Sequence, residues 1–271
     1  AQTNAEVIAN ISMSANNTKI TNENPGLNAN QSTDGLTVKK DIKYFNGASG
    51  YLVYPSDLAD KSSHKKVPAV IMIHEWWGIN DNIRTMANTL SKQGGYVVLA
   101  VDLFNGKSTE DPNQAMQFVN NAKNNPQIII SNLKSAVNYL SSLPFVNSSK
   151  IASIGWCFGG GQSLQLALHS EDHPLVATIL YYGTPLVTNK TDLTKIKWPI
   201  LGIFGDQDKS IPLSKIKSFE SALSQEGIVH QVYVYKGLGH AFANPSGANY
   251  ASKQTSDAWE KTIIFLKKYF E

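Results

Sequence analysis

Between residues 155 and 159 the chain reads G-W-C-F-G, after the apolar run KIASIG and before a helical pattern. One reactive side chain set among glycines at a strand-to-helix junction is the outline of a nucleophile elbow. Small neighbours are needed there because the backbone is strained and strand and helix pass closely. Cys157 stands where serine is more usual. A helix N-terminus adds partial positive charge and free N–H groups, which favour a thiolate. A lone cysteine is more often a small buried apolar residue, but its place in G-x-C-x-G after a buried strand points to a nucleophile.

A cysteine nucleophile needs a base, and the base needs an orienting acid. Further along, IFGDQDKSIP follows one apolar run and GLGHAFANP follows the next. His240, in the glycine-rich second stretch, is the candidate base. Asp206 and Asp208 both lie in the first. In triads of this plan the acid commonly follows the strand-end glycine by three positions, which selects Asp208 and leaves Asp206 to form a turn. His64, His169, His173 and His230 fall in loops, helix ends or a strand start, where solvated histidines are the rule.

A third stretch, IMIHEWWGIN, ends an apolar run in His74 and then places Glu75, Trp76, Trp77 and Gly78. An acid and two tryptophans are poor choices for a mere turn. The amides of Phe158, just after the nucleophile, and Trp76 are the expected oxyanion hole, each such donor being worth about 3 kcal/mol of barrier. His74, at the strand end, reads as a hydrogen-bonding brace of its loop. No His, Cys, Asp or Glu spacing suggests a metal site. The glycines at 159–161 lack the lysine and Ser/Thr of a phosphate-binding loop, so no cofactor is expected.

These residues need a frame that brings them together. LTVKKDIKYF and SGYLVYP alternate apolar and polar residues around Asn46-Gly47, the pattern of an antiparallel hairpin at a sheet edge. Continuous apolar runs follow at 69–74, 96–102, 150–155, 176–182, 199–205 and 230–236, as expected of buried parallel strands. Helical patterns occupy 82–92, 112–123, 127–143, 158–169, 213–226 and 252–270. The alternation predicts an α/β fold, a doubly wound and mainly parallel sheet in one domain, with ligands beyond the carboxyl ends of the strands. With 271 residues, 42% of them hydrophobic, the chain can bury one large core.

Residues 1–35 are rich in Asn, Ser and Thr without an aromatic side chain, and are expected to form a flexible arm before a domain over 36–271. The formal net charge of +3 is scattered, so neither nucleic acid nor a membrane face is expected as a partner, and no run is long enough to span a bilayer. The chain starts at Ala-Gln and carries Asn-x-Ser/Thr sequons at Asn10, Asn16, Asn30, Asn147 and Asn189. An extracellular or surface-tethered enzyme is expected, with a cytoplasmic one as the alternative, as a monomer or weak dimer.

Taken together, H-E-W-W-G-I-N at 74–80, G-W-C-F-G-G at 155–160, G-D-Q-D at 205–208 and G-H-A-F at 239–242 resemble the dienelactone hydrolase family. The resemblance implies an α/β-hydrolase fold and a Cys-His-Asp triad at Cys157, His240 and Asp208. It also implies that Glu75 contacts the resting cysteine and shifts when substrate binds. A carboxylate beside a thiol would keep the sulfur neutral until needed. Family members hold a substrate carboxylate with two arginines; at those positions this chain has Gly106, beside Lys107, and Asn244. Arg84 is its only arginine, so bidentate carboxylate recognition is not expected.

The remaining candidates for binding substrate are Trp76, Trp77, Phe104, Trp156, Phe158, Tyr182 and Phe242, with Lys107 and Asn244. The expected activity is hydrolysis of neutral aryl or short-chain carboxylic esters through a cysteine acyl-enzyme, extending to phenolic esters or aromatic polyesters. The alternatives are a dienelactone or lactone hydrolase proper, or a hydrolase-fold protein that binds a ligand or senses oxidants without turnover.

Overall fold

A computed structural model describes residues 31–33, 37–60, 62 and 64–271. The expected arm lies outside the described residues except for Gln31–Thr33, which form a short strand, β1. β1 pairs antiparallel with β2 (Thr37–Phe45), and β2 with β3 (Ala48–Pro55) through the Asn46-Gly47 turn. The expected hairpin therefore has a third strand outside it. Gly47 has φ of 78°, the left-handed conformation that a tight hairpin demands.

The remaining strands are β4 (Val67–Ile73), β5 (Val97–Val101), β6 (Val146–Trp156), β7 (Ala177–Tyr181), β8 (Ile200–Gly205) and β9 (His230–Tyr235). The sheet runs β1-β2-β3-β5-β4-β6-β7-β8-β9. From β5 to β9 all neighbours are parallel, and β3 joins β5 antiparallel. Every residue of β5 is fully buried, because helices cover both faces of the sheet. Continuous apolar runs, rather than alternation, are the consequence.

The helices are α1 (Asp81–Gly94), α2 (Pro112–Asn124), α3 (Pro126–Ser142), α4 (Phe158–Leu168), the one-turn α5 (Lys190–Leu193), α6 (Leu213–Gln225) and α7 (Ser252–Phe270). Local chemistry sets several of their ends. Asn80 caps α1 by accepting from the Ile83 amide at 3.1 Å, and Gly95 ends it with φ of 68°. Asp111 caps α2, with Pro112 in its first turn. No described helix is long and apolar enough to cross a membrane.

Winding reverses at β4: the chain passes from β4 to β5 on one side and later to β6 on the other. Such a reversal opens a crevice at the carboxyl ends of β4 and β6. The loop after β4 carries Glu75 and Trp76, and the turn after β6 carries Cys157.

Candidate active site

Cys157 joins β6 directly to α4 with φ of 54° and ψ of −118°. A non-glycine residue held there stores roughly 1–3 kcal/mol of strain, so its surroundings must hold it in place. Its amide donates to the Tyr181 carbonyl at 3.0 Å, and its carbonyl accepts from the Gly161 amide at 3.2 Å. The flanking glycines are steric requirements. A Cβ on Gly155 would lie 2.0 Å from the Gly159 oxygen, and one on Gly159 would lie 2.3 Å from the Ile73 oxygen. The elbow can close only because neither has a side chain.

His240 follows β9 and brings Nε2 to 3.1 Å from Cys157 Sγ, while its Nδ1 lies 2.7 Å from Asp208 Oδ2. The other carboxylate oxygen of Asp208 accepts from the amides of Ser210 at 2.8 Å and Ile211 at 3.2 Å. Burial acts against the Asp208 charge, but these bonds and the one to His240 hold its carboxyl below the ordinary range. Burial also works against an imidazolium, yet the bonds and charges of Asp208 and Cys157 outweigh it and push His240 up to about 10. Asp206 points elsewhere, accepting from the Gly237 amide at 2.7 Å to brace the turn after β9. The structure thus joins Cys157, His240 and Asp208 in one hydrogen-bonded line and leaves Asp206 outside it.

Glu75 is buried, 5% exposed, and its carboxylate accepts from Nδ2 of Asn244 at 2.5 Å. Burial pushes it up to about 7, against opposing contributions from His240, Asn244 and Tyr182. The Tyr182 hydroxyl, fully buried, lies against Glu75 and the Ala243 amide without a well-formed hydrogen bond to either. The Glu75–Asn244 pair thus lies within electrostatic reach of His240, and the unsatisfied Tyr182 hydroxyl within reach of Cys157. Asn244 stands where sequence reading placed a substrate contact, but here its amide is engaged by Glu75.

The predicted aromatic lining separates into two groups. Trp76 and Trp77 are half-buried and pack on each other with ring centroids 4.7 Å apart. Phe104 lies against His74 and Phe158, Trp156 against Tyr181, and the fully buried Phe242 against Tyr182 and Tyr235. Packing leaves these last three rings almost no exposed surface, and Trp156 lines a small enclosed space with Glu75, Tyr182 and Asn244. Lys107 is exposed and lies over the Phe118 ring at 5.9 Å. Phe158 begins α4, so its N–H lacks an intrahelical partner, and the Trp76 amide finds no acceptor among the described residues.

Two positioning residues escaped the sequence reading. Asp102, at the end of β5, accepts from the amides of Phe104 and Gly106, shaping the loop that carries Phe104. Asn249 donates to the His240 carbonyl at 2.8 Å and so steadies the histidine loop. The strand-end Asp followed by Asn105-Gly106 was a readable turn signal for the first. The second had none, since its target is a backbone atom.

Comparison with known proteins extends these observations. Residues 54–270 match the model of the dienelactone hydrolase family. "Protein usf" of Aquifex pyrophilus is 30% identical over 207 residues, covering 74% of this chain and 88% of that protein. Among solved structures, a dienelactone hydrolase-like promiscuous phosphotriesterase from metagenomic libraries superposes with a TM-score of 0.77 at 22% identity, covering 88% of this chain and all of that one. The dienelactone hydrolase from Anabaena variabilis gives 0.61 at 19% identity, covering 89% and 100%. At such identities the likeness is one of fold.

Proposed function

The chain belongs to the dienelactone hydrolase family, whose members hydrolyse esters or lactones, and from that premise we propose that it cleaves neutral carboxylic esters through an acyl-thioenzyme. The observation that carries this reading is the line from Asp208 through His240 to Cys157, at 2.7 and 3.1 Å. In the proposed cycle Sγ attacks the ester carbonyl while His240 holds the thiol proton. The Phe158 and Trp76 amides receive the oxyanion. The carbon–oxygen bond then breaks and His240 gives its proton to the departing alcohol. Water, deprotonated by the same imidazole, attacks the thioester and releases acid and thiol. Asp208 keeps the imidazole oriented and balances its charge.

Neutrality of the substrate is supported by what surrounds Glu75. Its partner is an amide, and the sole arginine is committed elsewhere, with Arg84 2.9 Å from Asp41 and stacked on Tyr51. A free carboxylate on the substrate would meet a buried acid and no guanidinium. The half-exposed Trp76–Trp77 pair favours aryl or short acyl groups instead.

The test is release of p-nitrophenol from p-nitrophenyl acetate and butyrate, alongside carboxylated esters and lactones. Wild type should turn over the neutral esters and Cys157→Ala should fall to the buffer rate. Equal rates for the two proteins remove the nucleophile assignment, and preference for carboxylated substrates removes the neutral-ester assignment.

A further inference from the structure

We propose that His74 is a positioning residue that aims the oxyanion-binding amide of Trp76 by holding the carbonyl of the Glu75–Trp76 peptide group. The inference rests on the acyl-enzyme reading above. Its starting point is a fully buried histidine outside the triad, with both ring nitrogens engaged. Nε2 accepts from the Leu103 amide at 3.2 Å. A backbone amide can only donate, so Nε2 is bare and the proton sits on Nδ1. That Nδ1–H donates to the Glu75 carbonyl at 2.5 Å. Burial disfavours the charged ring and keeps this neutral tautomer.

The Glu75 carbonyl and the Trp76 N–H belong to one planar unit and point in opposite directions. Gripping the oxygen therefore sets the direction of the N–H. A hydrogen bond at the oxygen also polarises the amide and strengthens its donation. The ring itself cannot turn: it stacks on Phe158 at 6.2 Å and 27°, and tilts against Phe104 at 4.7 Å. Phe158 carries the second proposed donor, so one imidazole touches both halves of the oxyanion hole. The Leu103 bond anchors that imidazole to the end of β5.

Three variants separate this role from simple packing. The Nδ2 of asparagine falls near the place of Nδ1, whereas the amide of glutamine reaches that of Nε2. His74→Asn keeps a donor for the Glu75 carbonyl; His74→Gln keeps only the Leu103 contact; His74→Leu keeps neither. His74→Leu and His74→Gln should lose roughly 10- to 100-fold in kcat with KM within about 2-fold, and His74→Asn should stay within about 5-fold of wild type. A trifluoromethyl ketone forms a carbon–sulfur bond to Cys157 as its carbonyl becomes an oxyanion, the thiol proton passing to His240. Its Ki should rise in step with the loss of kcat. Alkylation of Cys157 by iodoacetamide, which builds no oxyanion, should change by less than about 2-fold.

Full activity in every variant, rescue by glutamine but not asparagine, or loss of kcat at unchanged inhibitor Ki each overturns the proposal. Failure of all three variants to fold assigns the histidine to core packing and overturns it too. If the leucine variant alone is insoluble, the asparagine and glutamine pair decides. Activity surviving in Cys157→Ala is a separate result: it removes the acyl-enzyme itself.

Discussion

Asn244 and Glu75 stand 169 positions apart in the chain, yet the amide of the first donates to the carboxylate of the second. The buried acid thus has a neutral partner where a cation would have fixed its charge. Burial dominates, and Glu75 is pushed up to about 7. Near neutral pH it exchanges between a carboxylic acid and a carboxylate.

This arrangement makes stability depend on pH in a particular direction. A carboxyl raised from its ordinary 4.5 to about 7 binds its proton more tightly folded than unfolded. Its contribution is complete below 4.5 and lost as pH rises through 7. Replacing it with a neutral amide removes that loss. Glu75→Gln should therefore gain about 1–3 kcal/mol relative to wild type between pH 5 and pH 8, seen as a Tm difference widening by several degrees. A difference that stays flat with pH means the acid is not buried against its charge. One that narrows means it is held ionised.

The two aspartates after β8 are separable by the same assay that tests the nucleophile. Asp208 lies 2.7 Å from His240 and has no exposed side-chain surface, whereas the Asp206 carboxylate accepts from the Gly237 amide. Removing the charge that orients the imidazole is expected to lower kcat by about 10³–10⁴-fold in Asp208→Asn. Asp206→Asn should stay within about 3-fold, its effect appearing in Tm instead. The reverse ranking would transfer the acid's role to Asp206.

Much of this architecture was legible because buried parallel strands must be continuously apolar, as in Val97–Val101, and because Asn46-Gly47 can hardly be anything but a hairpin turn. The positions of Cys157, Asp208 and His240 were also readable, since each follows a strand end. Other features depend on distances that no local pattern encodes. The Glu75–Asn244 bond joins two loops through the fold. The burial of Phe104, Trp156 and Phe242 likewise follows from ring-on-ring packing between elements far apart in the chain. Gln31–Thr33 and Lys190–Leu193 are too short and polar to show a period, and neighbouring strands or caps alone make them regular.

Gly159 offers a test of the elbow's steric requirement. A methyl group there would meet the Ile73 oxygen at 2.3 Å and the His74 oxygen at 2.4 Å, main-chain atoms of the last residue of β4 and of the residue before Glu75. Backbone cannot step aside as a flexible side chain can. Gly159→Ala should cost more than about 2 kcal/mol and depress esterase activity even where the protein stays folded, measured by Tm and by p-nitrophenyl acetate turnover. Wild-type values for both would mean that α4 can withdraw from the end of β4 at little cost.

Asn244→Arg reverses the electrostatics on which the neutral-ester reading depends. A guanidinium at this position would stand beside the Glu75 carboxylate, which now accepts from the amide of Asn244. A cation there favours the ionised acid and should bring Glu75 back toward its ordinary value, so the pH-dependent gap between this background and its Glu75→Gln derivative should flatten. The same group could pair with a carboxylate on the substrate. The ratio of kcat/KM for a half-ester of a dicarboxylic acid to that for its neutral methyl ester should rise by about tenfold, equivalent to roughly 1.4 kcal/mol of transition-state binding. A ratio that does not move, in a variant that remains folded and active on neutral esters, would show that the acyl group of the substrate never approaches Asn244, and that selection against charge is made at the tryptophan pair instead.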